Sequence, residues 1–288
     1  MGQARQTVER LQLGLALVRL RNHAMKSQLE GATAINRTAG RLSQVENGKG
    51  ALGAEELIKL LDFYGAHGED RETVLALGAA SRKREQRRGY VDKLPEPFRR
   101  LVELQVAASG IDWYECGVIP GLVQSPDYVQ AIMNVSDSVY WESSTQETGD
   151  RTAFRLEQQE RVLEATPPKE LGVIFTEDTL HHTIGGRSVM RGQVLHMLQL
   201  LERHPNLSIR IVPDSAENNP ALGGGIVILH FAQKNTPITF ASVLHGPATY
   251  YDQAEDTEPM RRIFNRVREL ALSRTDTQSL LLSSLRES

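Results

Sequence analysis

Between Ser27 and Gly48 the chain has few ways to fold. Ser27 can cap a helix over Gln28–Ala34, and Asn36 tolerates the left-handed backbone of a sharp turn. Thr38 or its neighbour can then start a second helix, running from Thr38 to Glu46 and stopping at Asn47-Gly48. Helices this short are unstable alone, so neighbours must hold them. Those neighbours are legible. Leu13, Leu17 and Leu20 recur at helical spacing and predict a helix from about residue 8 to 24. Leu57, Leu60, Leu61 and Tyr64 mark one face of a helix over AEELIKLLDFYGA, and EDRETVLALGAAS supplies a fifth. Residues 1–82 therefore read as a compact all-α domain of five helices.

The segment SRKREQRRGYVDKLPEPF is poor in apolar residues and rich in charge, Gly and Pro, which places a linker at 83–95. Beyond it the pattern is mixed. PFRRLVELQVAAS, GDRTAFRLEQQERVLEA, RSVMRGQVLHMLQLLERH and EPMRRIFNRVRELALS carry helical periodicity, whereas LGVIFT, LSIRIVP, GIVILHFA and PITFASV are rich in β-formers. QKNT between the last two suits a hairpin turn. The order favours an α+β domain over 96–288, with a small sheet covered by helices.

Charge separates the two parts. Residues 1–95 carry 16 Lys and Arg against 11 Asp and Glu, whereas the remainder carries 17 against 25. A basic end joined to an acidic one suits an anionic partner at the first. The single cysteine, Cys116, excludes an intrachain disulfide, and no apolar run approaches the ~20 residues of a membrane helix. The expectation is a cytoplasmic protein with no membrane partner.

Two helices joined by a tight turn, the second short and polar, form a helix-turn-helix. Leu42 and Val45 can anchor the second against Leu17, Leu20 and Ile35, leaving its other side for base edges and phosphates. The stretch LGLALVRLRNHAMKSQLEGATAINRTAGRLSQVENGKG resembles the Cro/phage-repressor-type (XRE-type) helix-turn-helix. The match rests on Ser27-Gln28 and Val45-Glu46-Asn47-Gly48, with no gap between them. A second likeness lies in IDWYECGVIPGLVQSPDYVQAIM, which resembles the opening of the C-terminal domain of many actinobacterial regulators, a domain of unknown function thought to sense a ligand or a small partner protein. EDTLHHTIGGRSVMRGQVLHML, IRIVPDSA and RELALSRTDTQSLL extend it over nearly the whole chain.

The resemblance implies double-stranded DNA as partner and assigns contacts by position. Gln28 would touch a phosphate or base. Thr38, Ala39, Gly40, Arg41 and Gln44 fall where the family reads the major groove, and Ser43, Asn47 and Lys49 lie near backbone contacts. Lys26 and Gly31 stand where the family places apolar residues, Asn36 replaces the turn Gly, and Arg37, also a candidate contact, replaces a buried apolar residue. Lys26 and Arg37 can snorkel from a thinner core. Gly31 inside a helix costs about 1 kcal/mol relative to Ala.

Other constellations point elsewhere. His181, His182, His196 and His204 lack ligand spacing, so no metal is expected. Gly223-Gly224-Gly225 precedes a strand and reads as a turn, and no G-x-S-x-G or paired-carboxylate pattern supports catalysis, so neither cofactor nor catalytic residue is expected. Trp113, Tyr114, Gln124 and Tyr128, around the rigid Pro120-Gly121, are the candidate effector-binding residues, with core packing as the alternative. Apolar stripes at Ile263, Val267, Leu270 and at Leu280, Leu281, Leu285 could join a homodimer. The resemblance thus implies a DNA-binding transcriptional regulator with a sensing C-terminal domain, its action as repressor or activator left open. The alternative is a partner-binding signalling or antitoxin-like protein.

Overall fold

The computed structural model describes residues 6–82, 90–92, 97–136, 145–232, 234–241 and 248–287. The chain divides into two compact units, one of residues 1–107 with 247–253, the other of 108–246 with 254–288.

The first unit opens with α1 (Val8–His23), α2 (Gln28–Ala34), α3 (Ala39–Glu46), α4 (Ala54–Phe63) and α5 (Gly68–Arg82). Thr7, Ser27 and Thr38 each cap a helix by accepting a backbone N–H three residues on. The core joins Leu13, Leu17 and Leu20 of α1 to Leu42 and Val45 of α3 and to Leu57, Leu60, Leu61 and Tyr64. Two further elements follow, β1 (Tyr90–Asp92) and α6 (Pro97–Ala107). Asp92 is fully buried, where it receives two hydrogen bonds from Arg100 of α6 at 2.8 and 2.6 Å and one from Gln12 of α1.

The second unit is built on a mixed sheet. Its strands are β2 (Gly110–Glu115), β3 (Glu170–Thr176), β4 (Leu207–Val212), β5 (Ile226–Phe231) and β6 (Lys234–Ala241), in the order β6-β5-β2-β3-β4. β2, β3 and β4 run parallel, and β5 is antiparallel to both β2 and β6. The connecting helices are α7 (Pro126–Ser136), α8 (Thr145–Leu163) and α9 (Arg187–Arg203), and the unit ends in α10 (Ala254–Leu270) and α11 (Arg274–Glu287). α10 lies over one face of the sheet, where Phe264 and Val267 pack with Tyr114, Ile174, Val212 and Ile228. The last strand in the sequence, β7 (Ala248–Tyr251), belongs to the first unit: it pairs antiparallel with β1, and Asp252 beside it accepts a hydrogen bond from Val8 N at the start of α1.

An α+β chain with a helical helix-turn-helix end is what the sequence anticipated. The details differ in four places. The contacts divide at Ala107, not at 83–95, because α6 and β1 share the buried Asp92–Arg100 pair with α1. Residues 83–89 and 93–95 of the anticipated linker lie outside the described residues, and Tyr90–Asp92 is a strand. The hairpin is tighter than QKNT, since β6 already begins at Lys234. The stripes proposed for dimer contact are occupied within the unit: Val267 and Leu281 are fully buried, while Ile263 and Leu270 pack against the sheet core.

Candidate nucleic-acid interface

The turn before α3 is made by Asn36, whose φ of 54° is left-handed, as its short polar side chain allows. The Arg37 N–H then returns to Ala32 O at 2.9 Å, and Thr38 Oγ1 accepts the Arg41 N–H at 3.2 Å. Leu42 and Val45 are fully buried. Each contributes about 1.5–3 kcal/mol by burial, which fixes the roll of a helix too short to hold itself.

A charged lock fixes its far end. Glu46 is buried, and its carboxylate receives two hydrogen bonds from Arg21 of α1, at 2.7 and 3.2 Å, and one from the Gln28 Nε2 amide at 2.7 Å. Hydrogen bonding to Glu46 raises the Arg21 pKa further, so the guanidinium stays charged. The Gln28 amide must turn its N–H₂ toward Glu46, which leaves its oxygen with no partner among the described residues. One carboxylate therefore ties α1, α2 and α3 together and orients Gln28. Ser27 and Glu30 form a full capping box at the start of α2.

The remaining face of α3 is open. Thr38, Gly40, Gln44 and Asn47 are exposed, while Ala39, Arg41, Ser43 and Lys49 are half-buried. A Cβ added at Gly40 would meet nothing within 4 Å, so the backbone there can be approached closely. Asn47 Nδ2 donates to Ser43 O at 2.8 Å, tying the end of the helix. Arg41 folds back, donating to Ala51 O at 2.7 Å and weakly to Gln44 Oε1 at 3.5 Å.

The departures from the family pattern have local explanations. Arg37 is exposed and pairs with Glu56 at the start of α4, 2.6 Å away, instead of entering the core. Lys26 lies 5.3 Å over the Phe63 ring in a cation–π contact. Gly31 is not a hole. A Cβ there would lie 2.3 Å from Tyr64 Oη and 3.1 Å from Leu42 Cδ2, so the Tyr64 ring occupies the space of the missing side chain. Arg21, Glu46 and Tyr64 were missed as site residues. The capping-box spacing and the Glu46-Asn47-Gly48 motif were visible, but the partners of Glu46 lie too far away in sequence to be read.

The effector-binding candidates lie inside the second unit. Tyr114 and Tyr128 are fully buried, and Trp113 and Gln124 nearly so. Trp113 Nε1 donates to Glu115 at 2.9 Å, and the Tyr114 hydroxyl accepts from Asn219 at 3.0 Å. Gln124 Nε2 donates to Ile119 O at 2.7 Å, and the Tyr128 hydroxyl accepts from Ile119 N at 3.4 Å. The structure brings Gln124 and Tyr128 together on the backbone of one residue, Ile119, and it places Trp113 and Tyr114 on opposite faces of β2. Together they frame the Ile119–Gln124 turn and the sheet. No group of three His, Cys, Asp or Glu side chains gathers among the described residues, and no described helix is long and apolar enough to cross a membrane.

Three packed helices presenting a capped, polar fourth-side helix define a helix-turn-helix protein, and residues 12–74 match a family described as helix-turn-helix domain. Residues 98–283 match the family described as domain of unknown function DUF5753. That match spans more than half of the chain, and the chain belongs to this family. No curated protein and no solved structure matched it.

Proposed function

We propose that the chain is a sequence-specific DNA-binding transcriptional regulator of the Cro/phage-repressor type, acting as a homodimer, whose C-terminal domain senses a ligand or a small partner protein. One observation carries the reading: α3 is clamped by Leu42, Val45 and the Arg21–Glu46–Gln28 lock, while Thr38, Gly40, Gln44 and Asn47 stand open on its other side. A helix fixed in roll and orientation with donors and acceptors facing outward is what base readout requires. Two copies would address half-sites about 34 Å apart.

The test is selection of genomic fragments with the purified protein, followed by titration of a recovered duplex over a range of salt. Recovery of a common pseudo-palindrome, bound with a steep salt slope, supports the reading. A second reading has its own support: Arg37 and Arg41 are both engaged within the protein, which leaves fewer cations for phosphate. A stable complex with a small protein, together with salt-insensitive or absent duplex binding, would favour that partner-binding role.

A further inference from the structure

The sheet face beneath α10 is apolar over most of its length and turns polar at one end. Tyr114, Ile174 and Ile228 on that face lie in the core, but two residues earlier on each parallel strand the same face carries Asp112, Gly172 and, on β4, Ser208, which share one register row. His230 of β5 joins them, 3.0 Å from Asp112. These residues line a cavity of about 350 Å³, and the side chains of Arg268 at the end of α10 and Arg274 at the start of α11 line its other side.

Two features mark it as built. A Cβ on Gly172 would lie 2.5 Å from Asp112 Oδ1, so only glycine at this register position leaves the carboxylate where it is. The second is charge divided by side: Asp112 and Glu170 on the strands face Arg268 and Arg274 on the helices. Arg268 donates to Asn265 and Arg274 to Leu201 O, and neither has a carboxylate partner among the described residues. Arg210 stands close by and spends its guanidinium on Ala271 O and Leu272 O at the end of α10, and its pKa is lowered by burial and then by the nearby charge of Arg268. A guanidinium has five donors, so Arg268 and Arg274 keep most of theirs for a ligand.

We infer that this cavity binds a small zwitterion of the amino-acid type, its carboxylate held by Arg268 and Arg274 and its ammonium by Asp112. Guanidinium pairs recognise carboxylates by parallel hydrogen bonds, and the volume lies at the small end of ordinary ligand sites. Of the two strand-side carboxylates, Glu170 is exposed, whereas Asp112 is held by His230 at 3.0 Å and is the one placed to receive the ammonium. The inference deepens the sensing role proposed above and rests on it for its regulatory meaning, not for binding itself.

The test is thermal shift of the full-length protein with each standard amino acid at about 10 mM, enough to register a Kd of about 0.1 mM, followed by calorimetric titration of any that stabilises it. Acetate, ethylamine and inorganic phosphate serve as single-charge probes. The expected result is binding of at least one amino acid, weakened about tenfold or more by Arg268→Ala with Arg274→Ala and by Asp112→Asn. The arginines are exposed, so their removal should lower the unfolding temperature only slightly, by the loss of the Arg274 bond to Leu201 O. Absence of any shift, binding that survives both variants, or phosphate binding as tightly as the best amino acid would overturn the inference. An amino acid that binds in this way yet leaves operator affinity unchanged upholds the site and refutes the sensing reading.

Discussion

Helix α3 and the Trp113–Tyr128 stretch are written in similar letters, hydroxyls and amides mixed with turn residues, yet their side chains end in opposite places. In α3 the polar residues are presented outward because two apolar anchors and one buried carboxylate suffice to hold so short a helix. Around β2 the aromatic and amide groups turn inward, because five of the strand's six residues are buried and every polar atom taken along must be satisfied. Gln124 and Tyr128 accordingly spend their polar ends on Ile119, and Tyr114 spends its hydroxyl on Asn219. Polar side chains of the same kinds are thus left on the surface in one region and built into the scaffold in the other.

The largest test of that contrast is Trp113→Ala. As a core residue it should cost about 3–5 kcal/mol on truncation, read as a lower midpoint in urea unfolding of the full chain. Well below the unfolding temperature, amino-acid binding should persist. A variant of near-normal stability that has lost its response to effector would move Trp113 back to the sensing surface and break the comparison.

Next in size is Glu46→Ala. It strips Arg21 of its carboxylate partner and releases the Gln28 amide, at a cost of about 3 kcal/mol, the low end for a broken buried pair because Arg21 keeps some solvent contact. Duplex affinity should fall with it, at salt and temperature where the variant remains folded. Unchanged stability would show that the apolar anchors alone hold α3.

What was legible follows from the range over which each signal acts. Helical periodicity and caps are local, so the bounds of α2 coincide with the expected Gln28–Ala34, and Thr38 stands as the cap before Ala39. Pairings between distant segments left no local trace. Tyr90–Asp92 read as linker because its partner Ala248–Tyr251 lies far along the chain, and within it Asp92 is fully buried against Arg100. GIDWYE hid its strand for another reason: five of its six residues are buried, so the alternation that marks a half-exposed strand is absent. The Asp112–Gly172 cavity was equally invisible, since it depends on the register of two parallel strands.

A smaller effect separates base readout from scaffold on α3 itself. Gln44→Ala should cost about 1–3 kcal/mol on the operator and little on random duplex, whereas Lys49→Ala should weaken both alike. Arg41 sharpens the question, because its bond to Ala51 O must be given up before it can reach a base. If Arg41→Ala lowers stability and leaves specificity intact, Arg41 belongs with the scaffold and the readout falls to Gln44, Thr38 and the peptide backbone around Gly40.

The smallest expected effect is the most discriminating for the helical unit. Helix propensity alone says that Gly31→Ala should stabilise by about 1 kcal/mol. The Tyr64 hydroxyl says otherwise, because the new methyl would meet it at 2.3 Å, and that hydroxyl is buried with no hydrogen-bond partner among the described residues. Gly31→Ala should therefore be neutral or destabilising in the native background. Tyr64→Phe removes the obstructing atom and a buried polar group together, so in that background the same substitution should recover part of the propensity gain. The two changes should couple by about 1 kcal/mol in a double-mutant cycle on urea unfolding. Additive effects would mean that Tyr64 does not fill the space left at Gly31, and that the helix-turn-helix core is as thin as the sequence alone suggests.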